Sequence, residues 1–186
     1  MIKITGQVPD QVLYNKEVYS LAGVNGSGLF NPEVFGIMVK SASSACWRGF
    51  QMGYKIENEE FLLDWMLVNA DIPTPPSING IEGQKFSEEY SMFSHKYENL
   101  NIKIPFTGKF LIGKDFIREL YVHMGFQKPI TYETVLEIFV EEGVMTEIKD
   151  RSEKIREIRK NAQEFDPEND SVQKFIHDSF SLDYDL

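Results

Sequence analysis

The chain has 186 residues, a hydrophobic fraction of 42% with 13% aromatic, nineteen basic residues against twenty-nine acidic ones, and a formal net charge of -10. That hydrophobic content excludes a wholly disordered chain, because it can offset the entropy of ordering, and the length suits one domain with an appendage. The charge argues against nucleic acid or an anionic membrane surface as a partner and favours a basic protein. Cys46 is the single cysteine, so no internal disulfide can form. No apolar stretch of signal or spanning length is present at the start or elsewhere, and together these features predict a soluble, cytoplasmic protein.

Through residues 1–149, short apolar and aromatic runs alternate with Gly, Pro, Asn and acidic punctuation, the pattern of a β-rich domain. Residues 2–5 and 18–22 read as short strands. The glycine-rich run 23–28 reads as a loop. A phosphate-cradling role is disfavoured there, since Asn31-Pro32 follows at once, no Lys-Ser/Thr pair is present, and Glu33 would oppose an anion. Residues 34–40 read as a strand. In 47–56, strict alternation places Arg48, Phe50, Met52, Tyr54 and Ile56 on one face, and Glu57-Asn58-Glu59 turns the chain into a return strand over 61–68.

Pro73, Pro75 and Pro76 interrupt the pattern, and 73–100 reads as a partly ordered flap; Phe86, Tyr90, Phe93 and Tyr97 also carry the spacing of a short helix laid on the sheet. Residues 102–104 and 109–112 are strand-like, Gly113-Lys114-Asp115 reads as a turn, and 119–123 as a further strand. The last hairpin joins 134–140 to 144–149 through Glu141-Glu142-Gly143. Beyond Lys149 the texture becomes helical. Asp150 and Glu153 form a capping pattern ahead of a thin apolar stripe of Ile155, Ile158, Ala162 and Phe165. Residues 171–180 suit a second short helix, and 182–186 an acidic tail. The expected architecture is therefore mainly β: a curved antiparallel sheet or open barrel over 1–149, with a C-terminal helical extension over 150–186.

Chemistry-bearing residues are scattered. His95, His123 and His177 lie in three different contexts, with no H-x-x-x-H, C-x-x-C or H-E-x-x-H, so neither a metal nor a cofactor is expected. Cys46 beside Trp47 reads as packing rather than as a nucleophile, no G-x-S-x-G is present, and the pairs Glu59-Glu60, Glu88-Glu89 and Glu141-Glu142 read as solvated charge. Arg48, on an apolar face, needs solvent, an aromatic ring or a carboxylate, and Asp64 across the hairpin is the expected partner. His123, between Val122 and Met124 with Tyr121 nearby, reads as a half-buried structural histidine with a possible donor or base role. Arg48, Tyr54, Tyr121 and His123 are the candidate ligand-binding residues.

Two segments echo one another: Cys46-Trp47-Arg48-Gly49-Phe50 and Tyr121-Val122-His123-Met124-Gly125-Phe126. With Glu141-Glu142-Gly143, they resemble a family of uncharacterised bacterial proteins. In that family a Cys-Trp-Arg-Gly-aromatic strand precedes an acidic hairpin, and a Tyr-Val-His-Met-Gly-aromatic strand precedes the last one. The resemblance covers about a third of the chain. It implies a shared sheet framework and nothing firmer about function; Phe50 and Phe126 stand where Tyr would be expected. The absence of catalytic motifs, the negative charge and the weakly amphipathic helix together point to an acidic binding protein, immunity-like, for a basic protein partner. The competing reading is an enzyme or small-ligand binder with its site on the sheet near Arg48 and His123, the 73–100 segment serving as a lid. Exposed edges of an open sheet would also admit a homodimer.

Overall fold

The computed structural model describes residues 6–86, 91–123, 125–161 and 182–184. The expected strand over 2–5, the helix over 171–180 and most of the acidic tail lie outside them, as do Tyr90 and Met124. Among the described residues there are ten strands: β1 (Gln11–Tyr14), β2 (Glu17–Ser27), β3 (Phe50–Glu57), β4 (Glu60–Val68), β5 (Gln84–Lys85), β6 (His95–Tyr97), β7 (Ile102–Lys103), β8 (Thr107–Phe116), β9 (Tyr132–Glu141) and β10 (Val144–Asp150). One helix, α1 (Ser152–Asn161), follows.

The local turns dictate most of this order. Asn15-Lys16, Asn58-Glu59 and Glu142-Gly143 each join two antiparallel strands with both turn residues at positive φ. That geometry matches the right-handed twist of the strands it connects. The strands β10-β9-β8-β2-β1-β3-β4 are hydrogen-bonded in sequence, and β10 pairs with β4 to complete the ring. The fold is thus mainly β with a C-terminal helix, as expected, but the barrel is closed and mixed. Its one parallel pair on this path is β1 with β3. Closure satisfies the edge amides that an open sheet would leave exposed.

The inner face is filled. Tyr54, Phe61, Phe106 and Phe110 form a continuous aromatic stack, with ring centroids 5.2 Å apart for Tyr54–Phe61 and 4.8 Å for Phe61–Phe110. Val12, Leu21, Met52, Leu63, Met66, Ile112, Ile138 and Val140 pack around it. A second, smaller cluster of Ala22, Leu111, Tyr132, Val135 and Ile155 lies on the outside of β2, β8 and β9, beneath α1. Asp150 Oδ1 accepts the Ser152 N–H at 2.8 Å, so the expected capping residue does hold the helix start.

Several local expectations are corrected. The glycine-rich run over 23–28 is not a loop, because β2 continues to Ser27. Gly26 faces Gly108 on β8, where a Cβ would come within 2.5 Å of the Thr107 carbonyl oxygen, so the glycines allow close backbone approach. Residues 34–40 are not a strand. Asn31 caps a 3-10 turn over Pro32–Phe35 by accepting the Glu33 N–H, and Gly36 ends it at φ 75°. Gly113-Lys114-Asp115 does not turn, since β8 runs through to Phe116, and the missing Cβ of Gly113 makes room for the Tyr132 ring.

The segment over 73–100 is no flap among its described residues. Tyr97, Leu100, Ile78 and Phe93 are buried, β6 pairs with β4, and the Tyr97 hydroxyl donates to the Pro76 carbonyl at 2.8 Å. Phe93 and Tyr97 lie in no helix. Residues 119–123 are not a strand either: a 3-10 turn over Arg118–Leu120 leads into irregular chain. There the Gln127 side chain substitutes for a neighbouring strand, its Oε1 accepting the Val122 N–H at 2.9 Å and its Nε2 donating to the Val122 carbonyl at 2.8 Å.

Strand β3 starts at Phe50 rather than Trp47, because Gly49 sits at φ 77° and reverses the chain there. A Cβ on Gly49 would lie 2.0 Å from the Lys40 carbonyl oxygen. Gly49→Ala is expected to cost at least about 1–3 kcal/mol in urea unfolding, from the left-handed conformation alone. A loss below about 1 kcal/mol would show that position 49 leaves the left-handed region without cost and that the Lys40 segment gives way.

Candidate functional site

The segment over 6–10 brings the two echoing motifs together. The Val8 N–H donates to the Ala45 carbonyl and the Gln7 N–H to the Gly125 carbonyl, both at 2.8 Å. Gln7 also spans toward the first motif, its Nε2 donating to the Ser44 carbonyl at 2.9 Å and its Oε1 accepting the Trp47 N–H at 3.0 Å. The Tyr121 hydroxyl takes the Gly6 N–H.

Asp10, with a side chain only 6% exposed, receives Arg48 bidentately, at 2.9 Å from Nη1 and 2.5 Å from Nη2, and its Oδ1 also accepts the Met52 N–H at 2.6 Å. The guanidinium carbon lies 4.6 Å from the Phe50 ring centroid and 5.4 Å from that of Phe126. An aromatic residue from each motif therefore flanks one cation, which neutral phenyl rings do as well as phenols. The expected partner, Asp64, is instead the extra residue of a bulge in β4 and lies 3.2 Å from Lys55.

The four candidate residues do not form one site. Arg48 is engaged by Asp10. Tyr54 is 2% exposed inside the barrel, and burial pushes its hydroxyl well above the usual tyrosine range. Tyr121 and His123 are exposed and pack edge to face at 5.0 Å between centroids, so His123 is not half-buried. Tyr121 lines a cleft of about 310 Å³ with Gly6, Pro9, Phe116, Gln127 and Tyr132. Cys46 is buried, its thiol pushed up by desolvation and donating to the Phe50 carbonyl at 3.3 Å, which suits packing. Among the described residues no group of three or more His, Cys, Asp or Glu could hold a metal ion, and no helix is long and apolar enough to cross a membrane.

What the sequence does not reveal is that two acidic turns become one surface. Where β10 meets β4, the Met145 N–H donates to the Glu59 carbonyl at 2.7 Å and the Phe61 N–H to the Gly143 carbonyl at 2.9 Å. Glu57, Glu59, Glu60, Glu141 and Glu142 are thereby gathered, all exposed, along the closing seam. Lys55 lies 3.4 Å from Glu57 and Lys103 3.3 Å from Glu60; Glu59, Glu141 and Glu142 have no ion-pair partner among the described residues. Glu57 and Glu60 stand directly opposite one another in the hairpin, an arrangement that destabilises a sheet. Glu59 holds a φ of 66°, where glycine would be the unstrained choice. Comparison with family models, with curated proteins and with solved structures finds no match to this chain.

Proposed function

We propose that this chain is an acidic binding protein that engages a basic protein surface through the closing seam of its barrel. The observation that carries the reading is the juxtaposition of Glu57, Glu59 and Glu60 with Glu141 and Glu142 by the β10–β4 contact. Like charges at the seam oppose folding, so they are better accounted for by what they attract than by what they stabilise. The filled barrel interior and the commitment of Arg48 to Asp10 weigh against a small-ligand site spanning Arg48 and His123.

The test is affinity capture from the native host with the wild-type chain and with the double variant Glu59→Lys, Glu142→Lys, each at low and high salt, followed by mass spectrometry. The expected result is a basic protein retained by the wild type at low salt, released at high salt and never held by the variant. Screening contracts from about 10 Å at 0.1 M to about 3 Å at 1 M, which is why release should follow salt. The variant leaves the facing Glu57–Glu60 pair in place and removes like charge from the rest of the seam, so it should unfold at a urea concentration no lower than that of the wild type. Equal retention of the partner by the variant, or no reproducible basic partner, would overturn the reading.

A further inference from the structure

A second site, independent of the seam, lies beside β6. Ala70, Asp71, Ile72, Pro73, Lys85 and Ser94 surround a cleft of about 460 Å³ with His95 in its wall, a size within the range of about 300–1,000 Å³ typical of small-molecule sites. His95 is only 5% exposed. Its Nδ1 lies 2.9 Å from Ser94 Oγ, and Nε2 has no hydrogen-bond partner among the described residues.

The hydroxyl decides which ring nitrogen carries the proton. Ser94 Oγ accepts the Ala70 N–H at 2.9 Å and lies 2.9 Å from the Ala70 carbonyl and 3.1 Å from that of Val68. The Val68 carbonyl already accepts the Ser94 N–H at 2.9 Å, and the Ala70 carbonyl is the nearer of the two carbonyl acceptors for the hydroxyl proton. Oγ can then only accept from the imidazole. With the hydroxyl proton on the Ala70 carbonyl, Nδ1 is the protonated nitrogen and Nε2 presents a lone pair. Burial, with Lys85 adding repulsion, lowers the affinity of the ring for a second proton, which keeps that lone pair available.

Lys85 stands directly across the β5–β6 pair from His95 and has no ion pair among the described residues. The other charges beside the cleft cancel, since Asp71 is held by Lys40 at 2.8 Å. Among the described residues the local charge is thus a single positive one, on a chain of net charge -10. One cation suits one carboxylate, a doubly charged phosphate would leave one charge unmatched, and a bare imidazole nitrogen needs a donor such as a hydroxyl. We propose that the cleft binds a small monoanionic hydroxy acid of sugar-acid size, with its carboxylate on Lys85 and a hydroxyl donating to His95 Nε2.

The experiment is a titration of the full chain followed by ¹H–¹⁵N correlation spectra, with D-gluconate as the probe. Hexanoate supplies a single carboxylate without hydroxyls, and D-glucose hydroxyls without a carboxylate. Saturable shifts of the Ala70, Asp71, Ser94 and His95 amides are expected with gluconate. Both controls, and gluconate with Lys85→Gln, should bind about tenfold more weakly or worse, the effect of losing a charge-assisted or buried hydrogen bond. Lys85 lies on an exposed two-residue strand, so this variant should keep the wild-type spectrum elsewhere. Imidazole ¹⁵N shifts should show the proton on Nδ1. Absence of saturable shifts with gluconate, equal binding of hexanoate, indifference to Lys85→Gln, or a proton on Nε2 would each overturn the assignment.

Discussion

Asp10→Ala should lower the unfolding free energy by about 3–5 kcal/mol, the cost of leaving one member of a buried pair uncompensated. The Arg48 side chain is 22% exposed and lies over the Phe50 and Phe126 rings, so it cannot fully return to water without breaking that packing. The Met52 N–H loses its acceptor in the same variant. Urea unfolding measures the loss, and a double-mutant cycle assigns it. Arg48→Met combined with Asp10→Leu removes both charges and should cost clearly less than the two single changes added together. A loss below about 1 kcal/mol for Asp10→Ala would place the pair with weak surface salt bridges. Because the segment over 6–10 ties both motifs together, amide exchange should accelerate at Gln7, Val8 and Trp47 along with the loss.

The second large effect is expected at Glu137, a fully buried carboxylate on the outer side of β9, 0% exposed. Arg151 reaches Oε2 at 2.7 Å from Nε and 2.5 Å from Nη2, Lys109 lies 3.2 Å from Oε1, and the Tyr184 hydroxyl donates to Oε1 at 3.2 Å. Glu137→Ala strands two cations and a half-buried phenol, and should cost about 3–5 kcal/mol. Tyr184 also packs over Lys109, and the Val24 N–H donates to the Leu182 carbonyl at 2.7 Å. The Val24 amide should therefore exchange faster once Glu137 no longer holds Tyr184.

The same group sets an acid limb. Burial alone would raise the Glu137 carboxyl, but its hydrogen bonds to Arg151 and Lys109 outweigh that and hold it below the ordinary value of 4.5. A carboxyl depressed on folding contributes its full stability above the unfolded pKa. That contribution drains away as pH falls below about 4.5 toward the folded value. The wild type should thus lose stability across this range more steeply than Glu137→Gln, as read from urea midpoints at successive pH values. Parallel curves would assign the acid sensitivity to other carboxylates.

The hairpins were legible because their signals are local. Asn58-Glu59 and Glu142-Gly143 sit between alternating apolar runs, and two-residue turns of that kind leave little choice of register. The helix after Lys149 was legible for a similar reason, with Asp150 ahead of it and an apolar residue, Ile155, buried on one side. Glycine misled where it served close approach rather than turning, as at Gly26 against Gly108 and at Gly113 under Tyr132. Residues 119–123 alternate like a strand, yet their neighbour is the Gln127 side chain, and nothing in the alternation distinguishes a side-chain amide from a strand as partner.

The candidate sites were less legible. The Arg48 pair links positions 38 apart, the seam joins turns more than eighty residues apart, and the His95 cleft depends on whether a carbonyl or the imidazole takes the Ser94 proton. The alternation placed Arg48 on the same side as Phe50 and Tyr54, but Gly49 at φ 77° breaks that periodicity, and only the fold brings Asp10 to it.

By itself, the sequence determined the β-rich class, the hairpins, the helix and its cap, because each rests on side-chain alternation or backbone preference within a few residues. Only the tertiary structure decided that the barrel closes, that one strand pair is parallel, and that Asp10, Glu137 and the acidic turns acquire their present neighbours. Those contacts depend on the register in which distant strands meet, and a register across a closing seam leaves no periodic mark in the residues that form it.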